Sequence, residues 1–457
     1  MKMPKSPPPV EKILEKIDRS NVDLGLYFEA ASKYNSDYSH WDKVRYRTKD
    51  ELDPKLVWAI MKMIRMNSYR HVKLNELEIK YSVIESFQKT IHEIDMMAPV
   101  GFMSRGRFSE KEMKRYSVSS VMEESIASSQ MEGAATTRQV AKRMLREKRR
   151  PKNESERMIA NNYDAMLLIK NLKDEKLTSE MILRIHKEIT KDTLEDSKYE
   201  GEYRNADDVV VVDKYTGDVY HTPMKSEKIP HMMDVLCAYA NDDSIFTHPL
   251  IKGIIIHYLI GYMHPFTDGN GRLARSLFYW YLLKKGYWIV EYLSISKVIK
   301  ENKSKYDWSY LLSETDDNDV TYFIKFNLDK VEEALNDFMI HVDAKRKEQR
   351  EFQLRLSENK NLPMRQQMIV KDAMMSEEMI SIQEISSKYQ VTYQTARADI
   401  MHLEQLGLIK KSEKRSNQIL YTFNENENTK NKTDESIQVQ SDLPKSCDKV
   451  KKLTEWQ

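Results

Sequence analysis

Cysteine, glycine and proline are all scarce in this chain of 457 residues. The two cysteines, Cys237 and Cys447, are too few for a disulfide framework and lack the paired spacing of a zinc site. With only 12 glycines and 13 prolines to interrupt them, long helices should dominate the fold. The low cysteine content fits a reducing compartment, so we expect a cytoplasmic protein.

Long apolar runs and an excess of one charge are absent as well. No stretch approaches the roughly 18 consecutive apolar residues that would span a bilayer, and Met1 to Val10 lack an apolar signal core. The chain has 73 basic and 71 acidic residues, so its net charge does not favour binding to a polyanion. A local basic patch on the surface is still possible. We expect no membrane association and two or three folded units.

The pattern of apolar residues predicts a mainly α-helical protein. Val57, Ile60, Met61 and Ile64 recur at helical spacing, which is typical of amphipathic helices packed as a bundle. The predicted organisation is a flexible lead (1–20), an N-terminal helical domain (21–115), a helical core (116–340) that opens with a helix at about 116–145, a helical linker (341–361), a winged helix-turn-helix (362–423) and a disordered tail (424–457).

One β-hairpin is predicted within the helical core. Val209 to Val212 is β-branched, Thr216-Gly217-Asp218 offers turn chemistry, and Val219 to Thr222 can return as the second strand. Ile251 to Met263 is apolar on nearly every side, which predicts a helix buried at the centre of the core.

The segment His264-Pro265-Phe266-Thr267-Asp268-Gly269-Asn270-Gly271-Arg272-Leu273-Ala274-Arg275 concentrates reactive groups between two predicted helices. Gly269 and Gly271 let backbone N–H groups converge at the start of the second helix, which makes an anion cradle suited to phosphate. Asp268 can hold Mg²⁺, Arg272 and Arg275 can neutralise phosphate charge, and His264 can take a proton near neutral pH.

Other nucleotide motifs are missing from the sequence. None of the 12 glycines is followed by lysine, so a P-loop is absent, and there is no GxGxxG fingerprint. A nucleotide is therefore expected in the cradle. His257 and His264 lie seven residues apart and suggest a metal pair, but without a third nearby ligand they are more often core residues.

Two motifs make the chain resemble the Fic family over roughly residues 120–340. His264 to Arg275 matches the family signature HxFx(D/E)GNGRxxR, and Ser128 to Gly133 matches its inhibitory motif (S/T)xxxE(G/N). Gly201-Glu202-Tyr203-Arg204 precedes the hairpin as in that family. The resemblance implies a helical core with a β-hairpin flap, and transfer of AMP from MgATP to a serine, threonine or tyrosine hydroxyl of a target protein.

The resemblance also implies a role for each residue. His264 would be the base, Asp268 the magnesium ligand, and Phe266 an anchor of the loop. The set implied to hold ATP comprises Asp268, Gly269, Asn270, Gly271, Arg272, Leu273, Ala274, Arg275, the flap residues Val210 and Val211, and Tyr306 near the adenine. Glu132 would pair with Arg275 and block productive ATP binding, with Ser128 holding its carboxylate and Gly133 completing the motif. The flap strand would pair with an extended target segment.

Several functions stay open at this level. The first is an autoinhibited AMP transferase acting on another protein or on itself. The second is an enzyme that uses Glu132 to position water and remove AMP from a modified protein, as in some Fic members. The third is a DNA-binding regulator in which the core senses nucleotide. A homodimer is also a candidate, since Fic proteins often dimerise.

The third function depends on the C-terminal module. Ser381 and Glu384 form a capping box, Ile382 to Tyr389 and Thr392 to Leu406 are predicted helices, and Leu408 to Lys411 and Gln418 to Phe423 are predicted strands. Residues 381–415 could contact DNA through Tyr393, Gln394, Thr395 and Arg397 at the start of the second helix and through the wing residues Lys410, Lys411, Lys414 and Arg415. Winged helices also dock proteins, so both partners remain candidates.

Overall fold

The computed structural model describes residues 3–15, 23–49, 51–97, 110–212, 217–358, 362–375, 380–415 and 418–424. The predicted disordered tail lies outside these residues except for Asn424. The chain divides into two compact units, Met1–His341 and Val342–Gln457. The fold is mostly helical, which confirms the predicted class.

The first unit is built from helices that surround one buried helical pair. Its helices are α1 (Val10–Leu14), α2 (Leu24–Ser36), α3 (Trp41–Arg47), α4 (Pro54–Met66), α5 (Glu85–Met97), α6 (Glu110–Met131), α7 (Arg138–Arg146), α8 (Glu154–Asn171), α9 (Ser179–Thr190), α10 (Ile229–Asn241), α11 (Pro249–Met263), α12 (Asn270–Lys284), α13 (Ile295–Glu301), α14 (Lys303–Thr315) and α15 (Thr321–Glu358). Helix α15 continues beyond His341, so residues 341–358 of the segment predicted as a linker form its second half.

Helices α11 and α12 pack side by side at the centre of this unit. Almost every residue of α11 is buried, as its uniform apolar sequence predicts. Pro249 begins the helix, and the ring of His248 accepts a hydrogen bond from the Leu250 N–H at its start. The loop between the two helices spans only residues 264–269, so the end of α11 and the start of α12 lie together.

A hairpin lies where only helices were predicted. Strands β1 (Tyr69–Leu74) and β2 (Leu77–Ser82) pair antiparallel around a two-residue turn in which Asn75 has a positive φ of 55°. Leu77, Ile79 and Tyr81 are buried while the residues between them are more exposed, the two-residue alternation of a strand. The helical periodicity of α4 does not extend into this segment, so the prediction of a helical N-terminal domain (21–115) was wrong for these residues.

The predicted hairpin of the core is present but shorter than expected. Strand β3 comprises Val211–Val212 and strand β4 comprises Val219–His221, with Val211 paired to His221. This is the flap. Helix α1 lies in the segment predicted as a flexible lead, and Ile13 from it is buried in the same apolar cluster as Trp58 of α4.

Buried charges join the N-terminal helices to the later part of the same unit. Lys62 of α4 lies 2.8 Å from an Asp316 carboxylate oxygen, and Arg65 donates to the Tyr322 hydroxyl at 2.8 Å. Asp319 accepts from the hydroxyls of Tyr38 and Tyr69 at 2.7 and 2.8 Å. Every one of these carboxylates is buried, and each has hydrogen-bond donors within reach.

The second unit is a winged helix-turn-helix. Its elements are α16 (Met364–Met375), β5 (Ile380–Ser381), α17 (Ile382–Lys388), α18 (Tyr393–Gln405), β6 (Ile409–Arg415) and β7 (Gln418–Phe423), with strand order β5-β7-β6. The capping box predicted at Ser381 and Glu384 is present. Helix α16 and strand β5 were not predicted. Among the described ranges, every helix is too short or too polar to cross a lipid bilayer.

Candidate active site

His264 ends helix α11 in a left-handed conformation, with φ at 49° and ψ at 59°. This conformation costs a residue with a Cβ atom roughly 1–2 kcal/mol, so the imidazole is held where glycine would be favoured. The backbone is fixed on both sides, because the His264 N–H donates to the Ile260 carbonyl at 3.0 Å and its own carbonyl accepts from Arg204 Nε at 2.9 Å. The position of the ring is thus set by the end of the helix.

The hydrogen bond of the His264 ring fixes its tautomer. Nδ1 lies 3.2 Å from the Gly261 carbonyl oxygen, which can only accept, so Nδ1 carries the proton and Nε2 keeps its lone pair. Burial lowers the pKa of His264, the bond to Gly261 opposes this, and the nearby His221 lowers the pKa further. The net lowering keeps Nε2 unprotonated, as a base requires.

Arg204, from the Gly201-Glu202-Tyr203-Arg204 segment, joins the flap to this loop. Its buried guanidinium donates to the His264 carbonyl, to the Ala206 carbonyl at 2.8 Å and to the Met224 carbonyl. Ala206 and Met224 lie on either side of the hairpin in the chain. One arginine therefore ties both ends of the flap to the residue predicted as the base.

The loop after His264 is held by an amide and a ring stack. The Asn270 side chain accepts from the Phe266 N–H at 3.0 Å and donates to the Phe266 carbonyl at 2.8 Å. The Phe266 ring is fully buried and stacks on His186 with 3.6 Å between centroids. Phe266 is the anchor that was predicted. Asn270 differs from its predicted role, because its amide holds the loop closed instead of pointing towards a phosphate.

His186 of α9 is a site residue that the sequence analysis missed. Its Nε2–H donates to the Asp268 carbonyl at 2.9 Å, and its Nδ1 accepts from the Gly201 N–H at 3.1 Å. Burial lowers its pKa to about 4, so the ring stays neutral. A histidine on an amphipathic helix gives no signal of this role, since its partners come from two distant segments.

The start of α12 forms the predicted cradle. Gly269 precedes the helix with φ at 82°, and the first three N–H groups, those of Asn270, Gly271 and Arg272, are the ones without partners inside a helix. The next N–H, that of Leu273, donates to the Gly269 carbonyl at 2.9 Å. Leu273 and Ala274 are buried core residues, and their contact with nucleotide stays a prediction.

Arg272 lies beneath the cradle and not in it. Its fully buried guanidinium donates to the Ile189 carbonyl at 3.0 Å and to Asp268 Oδ2 at 3.1 Å. The predicted direct neutralisation of phosphate by this side chain is therefore replaced by a contact that orients Asp268. The Asp268 carboxylate itself is 55% exposed at the loop surface, where a cation could reach it.

Arg275 is the arginine that faces the Ser128–Gly133 motif. Its Nη2 donates to Glu132 Oε1 at 2.8 Å and to the Ser128 carbonyl at 3.0 Å, and its Nε donates to the Ser128 hydroxyl at 2.9 Å. Glu132 and Arg275 thus form the predicted ion pair. Ser128 holds the arginine, whereas the prediction had it holding the carboxylate.

The Glu132 carboxylate lies directly over the cradle. A methyl group at Gly271 would overlap its Oε1 atom, so the carboxylate lies against Gly271 in the first turn of α12. Glu132 follows the last residue of α6, and Gly133 with φ at 108° turns the chain away there. Burial raises the pKa of Glu132, but Arg275 outweighs it and the net pKa is lowered, so the carboxylate stays charged.

Glu124 is a second carboxylate of α6 that the sequence did not single out. It is buried and accepts hydrogen bonds from the Tyr279 hydroxyl at 2.8 Å and from the Ser296 N–H at 2.9 Å. Burial raises its pKa. Because Tyr279 belongs to α12 and Ser296 to α13, Glu124 fixes α6 two helical turns before Glu132.

The remaining predicted contacts lie in two places. Tyr306 is buried with its hydroxyl 2.9 Å from His257 Nε2, and the pKa of His257 is lowered by burial to about 3. The partner of His257 is therefore a tyrosine, and the described residues hold no group of three or more potential metal-binding side chains. In the flap, Val210 is exposed and Val211 half-buried.

Comparison with known proteins finds a match for one segment of each unit. Residues 176–282 match the model of the Fic/DOC family, and residues 365–413 match that of the DeoR-like helix-turn-helix domain. A protein adenylyltransferase Fic from Nematostella vectensis is 29% identical over 157 residues, which cover 34% of this chain and 32% of that protein. Protein adenylyltransferase fic-1 from Caenorhabditis elegans is 36% identical over 87 residues, 18% of this chain and 17% of that protein.

The chain thus spans no more than about a third of these curated relatives in the matched segments. The crystal structure of a Fic family protein from Desulfovibrio desulfuricans G20 superposes with a TM-score of 0.51 at 17% identity, covering 76% of this chain and 98% of that one, and shares the fold. The chain therefore carries a domain of the Fic/DOC family, followed by a DeoR-like helix-turn-helix domain.

Proposed function

We propose that this protein is an autoinhibited protein adenylyltransferase. The observation that carries the proposal is that a neutral His264 and the N–H groups that start α12, which have no partners inside the helix, lie at opposite ends of one short loop. The N-terminus of a helix binds phosphate, and a histidine with a lowered pKa deprotonates a hydroxyl. The two matched relatives are named as protein adenylyltransferases.

The reaction uses the chain's own groups in defined roles. A target hydroxyl gives its proton to His264 Nε2 and attacks the α-phosphorus of ATP, the new oxygen–phosphorus bond forms, and the bond to the β-phosphate oxygen breaks. The amides of Asn270, Gly271 and Arg272 orient the phosphates and stabilise the developing charge. Arg275, once free of Glu132, pairs with the terminal phosphate, and pyrophosphate leaves.

Magnesium fits this site through one protein ligand. Mg²⁺ is usually held by one or two carboxylates together with phosphate oxygens and water. Asp268 is an exposed carboxylate oriented by Arg272, and the described residues offer no larger cage of ligands. When bound with the nucleotide, the ion would neutralise phosphate charge.

Restraint arises because Glu132 and a nucleotide compete for the same groups. The carboxylate pairs with Arg275 and lies over Gly271, so its negative charge repels phosphate from the cradle. The target would be a protein with a hydroxyl side chain, or the chain itself, presented along the exposed edge of the flap at Val210 and Val212.

Labelled ATP tests this proposal. The Glu132→Gly variant should label a protein with α-³²P-ATP and not with γ-³²P-ATP, because AMP is transferred. In that background His264→Ala should reduce labelling by about 10²–10⁴-fold, the range expected for loss of a general base. His71, an exposed histidine of the β1–β2 hairpin, serves as the control, and His71→Ala should leave labelling unchanged.

Undiminished labelling with His264→Ala would reject the mechanism. Incubating the wild-type protein with a pre-labelled target separates transfer from removal of AMP, since only removal releases the label in the absence of ATP. Label release that needs Glu132 would favour the removing enzyme.

DNA binding by the second unit is a second candidate function. Helix α18 buries Ala396, Ile400 and Leu403, and it exposes Gln394 and Arg397 on the opposite face. Exposed polar and basic residues at the start of such a helix can meet base edges and phosphates. Lys411 is less available, because it pairs with Glu404 at 3.2 Å.

A gel shift at several salt concentrations tests this function. If the unit binds DNA, affinity should fall as salt rises, and Arg397→Ala should weaken binding and reduce the salt slope by about one. Lys388→Ala is the control, since Lys388 lies at the end of α17 and pairs with Asp372. A salt-independent shift, or equal effects of the two variants, would argue for a protein partner.

A further inference from the structure

His221 links the flap to the helical core through both ring nitrogens. Its Nδ1 lies 2.8 Å from Glu314 Oε2, and its Nε2 lies 2.7 Å from the Tyr262 carbonyl oxygen. Glu314 belongs to α14, and Tyr262 lies in the last turn of α11, two residues before His264. The second flap strand is therefore bound to the helix that ends at the proposed base.

Both of these bonds need a proton on the histidine. A carbonyl oxygen only accepts, so Nε2 must carry hydrogen, and a carboxylate also accepts, so Nδ1 must carry hydrogen too. Burial lowers the pKa of His221, but the bonds to Glu314 and Tyr262 outweigh burial and the net pKa is raised above its usual value. Among the described residues, the Tyr262 phenol, with ring centroids 5.0 Å apart, and His264 also face this ring.

We propose that His221 is a positioning residue that fastens the flap to the core only while its imidazole is protonated. The inference rests on the proposed function in one respect, that the flap presents the target hydroxyl to His264. A neutral ring carries a single N–H, so one of its two nitrogens would turn a lone pair towards an oxygen and that bond would be lost.

The direction of the pH effect follows from the raised pKa. The bonds hold fully below about pH 6.5, the usual pKa of histidine, and weaken as pH rises through the higher pKa of the folded protein. The charge on His221 also lowers the pKa of His264. One proton on His221 would thus hold the flap in place and help to keep the base neutral.

Glu314→Gln separates this mechanism from an ordinary ion pair. The glutamine amide can donate to Nδ1 of a neutral ring while Nε2–H donates to the Tyr262 carbonyl, so both bonds survive without the extra proton. The variant should therefore hold the flap at every pH in the range. His221→Phe keeps an aromatic ring near Tyr262 and removes both bonds, so the flap should be loose at every pH.

Hydrogen exchange of the full chain, read at Val211 and at Val219–His221, measures the flap without using activity. From roughly pH 6 to pH 9, and after correction for intrinsic exchange, wild-type protection should fall about tenfold or more, as expected for loss of a charge-assisted hydrogen bond. Glu314→Gln should show a flat profile. Glu78→Gln, which alters the exposed His71–Glu78 pair, should behave as wild type.

A flat wild-type profile, or a Glu314→Gln profile as steep as wild type, would overturn the inference. If protection behaves as expected and no AMP is transferred at any pH, the fastening of the flap stands and the proposed function fails. If AMP is transferred and protection does not change with pH, the inference about His221 fails alone.

Discussion

At the scale of single residues, the site depends on side chains that keep one charge state. Burial keeps His264 and His186 neutral and hydrogen bonds fix their tautomers, while Arg275 keeps Glu132 charged. The pKa of each group is shifted in the direction that its role needs. Their environment, more than their residue type, suits His264 to the proposed role of base, His186 to support of the loop, and Glu132 to the proposed block.

Charge on Glu132 should matter more than its shape. Glu132→Gln keeps an oxygen near Arg275 but removes the charge, whereas Glu132→Gly removes the whole side chain above Gly271. Labelling with α-³²P-ATP should rise in the order wild type, Gln and Gly. The Gln variant removes only the charge that repels phosphate, whereas the Gly variant also removes the side chain that occupies the space above Gly271. Steric blocking alone would leave the Gln variant as inactive as wild type.

At the scale of elements, the junction of α11 and α12 concentrates the site in one short loop. Gly269 needs a positive φ, and a methyl group there would lie 2.9 Å from Thr190 Cγ2 and 3.2 Å from His186 Nε2. The loop therefore packs against α9 so closely that a side chain at Gly269 would not fit without a shift of its neighbours. Its geometry depends on helix packing as much as on the signature residues themselves.

Gly269→Ala should destabilise the fold more than Gly286→Ala. Both glycines have a φ near 80°, but a methyl group at Gly286 meets no atom within 4 Å among those described. Gly286→Ala should cost about 1–2 kcal/mol for the backbone alone, and Gly269→Ala should add about 1–3 kcal/mol of overpacking. Urea unfolding measures both, and Thr190→Ser, which removes the nearest methyl group, should restore part of the difference.

At the scale of the first unit, buried charges connect segments far apart in the chain. Asp319 joins Tyr38 and Tyr69 to the start of α15, and Lys62 and Arg65 surround Asp316. Burying these charges costs free energy of desolvation. Removing one partner costs more, because the remaining charge is then buried without a counter-charge.

Asp319→Asn should lower the free energy of unfolding by about 3–5 kcal/mol, since it removes the buried charge that Lys62 and two hydroxyls share. Asp317 is the matched control: it is two residues away, 87% exposed and 3.6 Å from Lys80. Asp317→Asn should change stability by less than about 1 kcal/mol. Equal effects in urea unfolding would mean that the network contributes no more than a surface pair.

Much of this molecule could be predicted from local patterns. The apolar run of α11, the capping box at Ser381 and the two Fic motifs each act over a few residues, so their spacing is sufficient to indicate helix, cap and cradle. The β1–β2 hairpin was missed because helical periodicity on both sides obscured its short alternation. The roles of Asn270, Arg272 and Ser128 were assigned from the motif, and each side chain turned out to bond elsewhere.

The amino-acid sequence by itself determined the helical class, the winged helix and the loop from His264 to Arg275, because these depend on neighbours along the chain. Only the tertiary structure decided which groups meet: His186 with the Asp268 carbonyl, Glu124 with Tyr279, and Glu314 with His221. Those partners lie tens of residues apart, and hydrogen bonding between such segments depends on packing that no local spacing encodes.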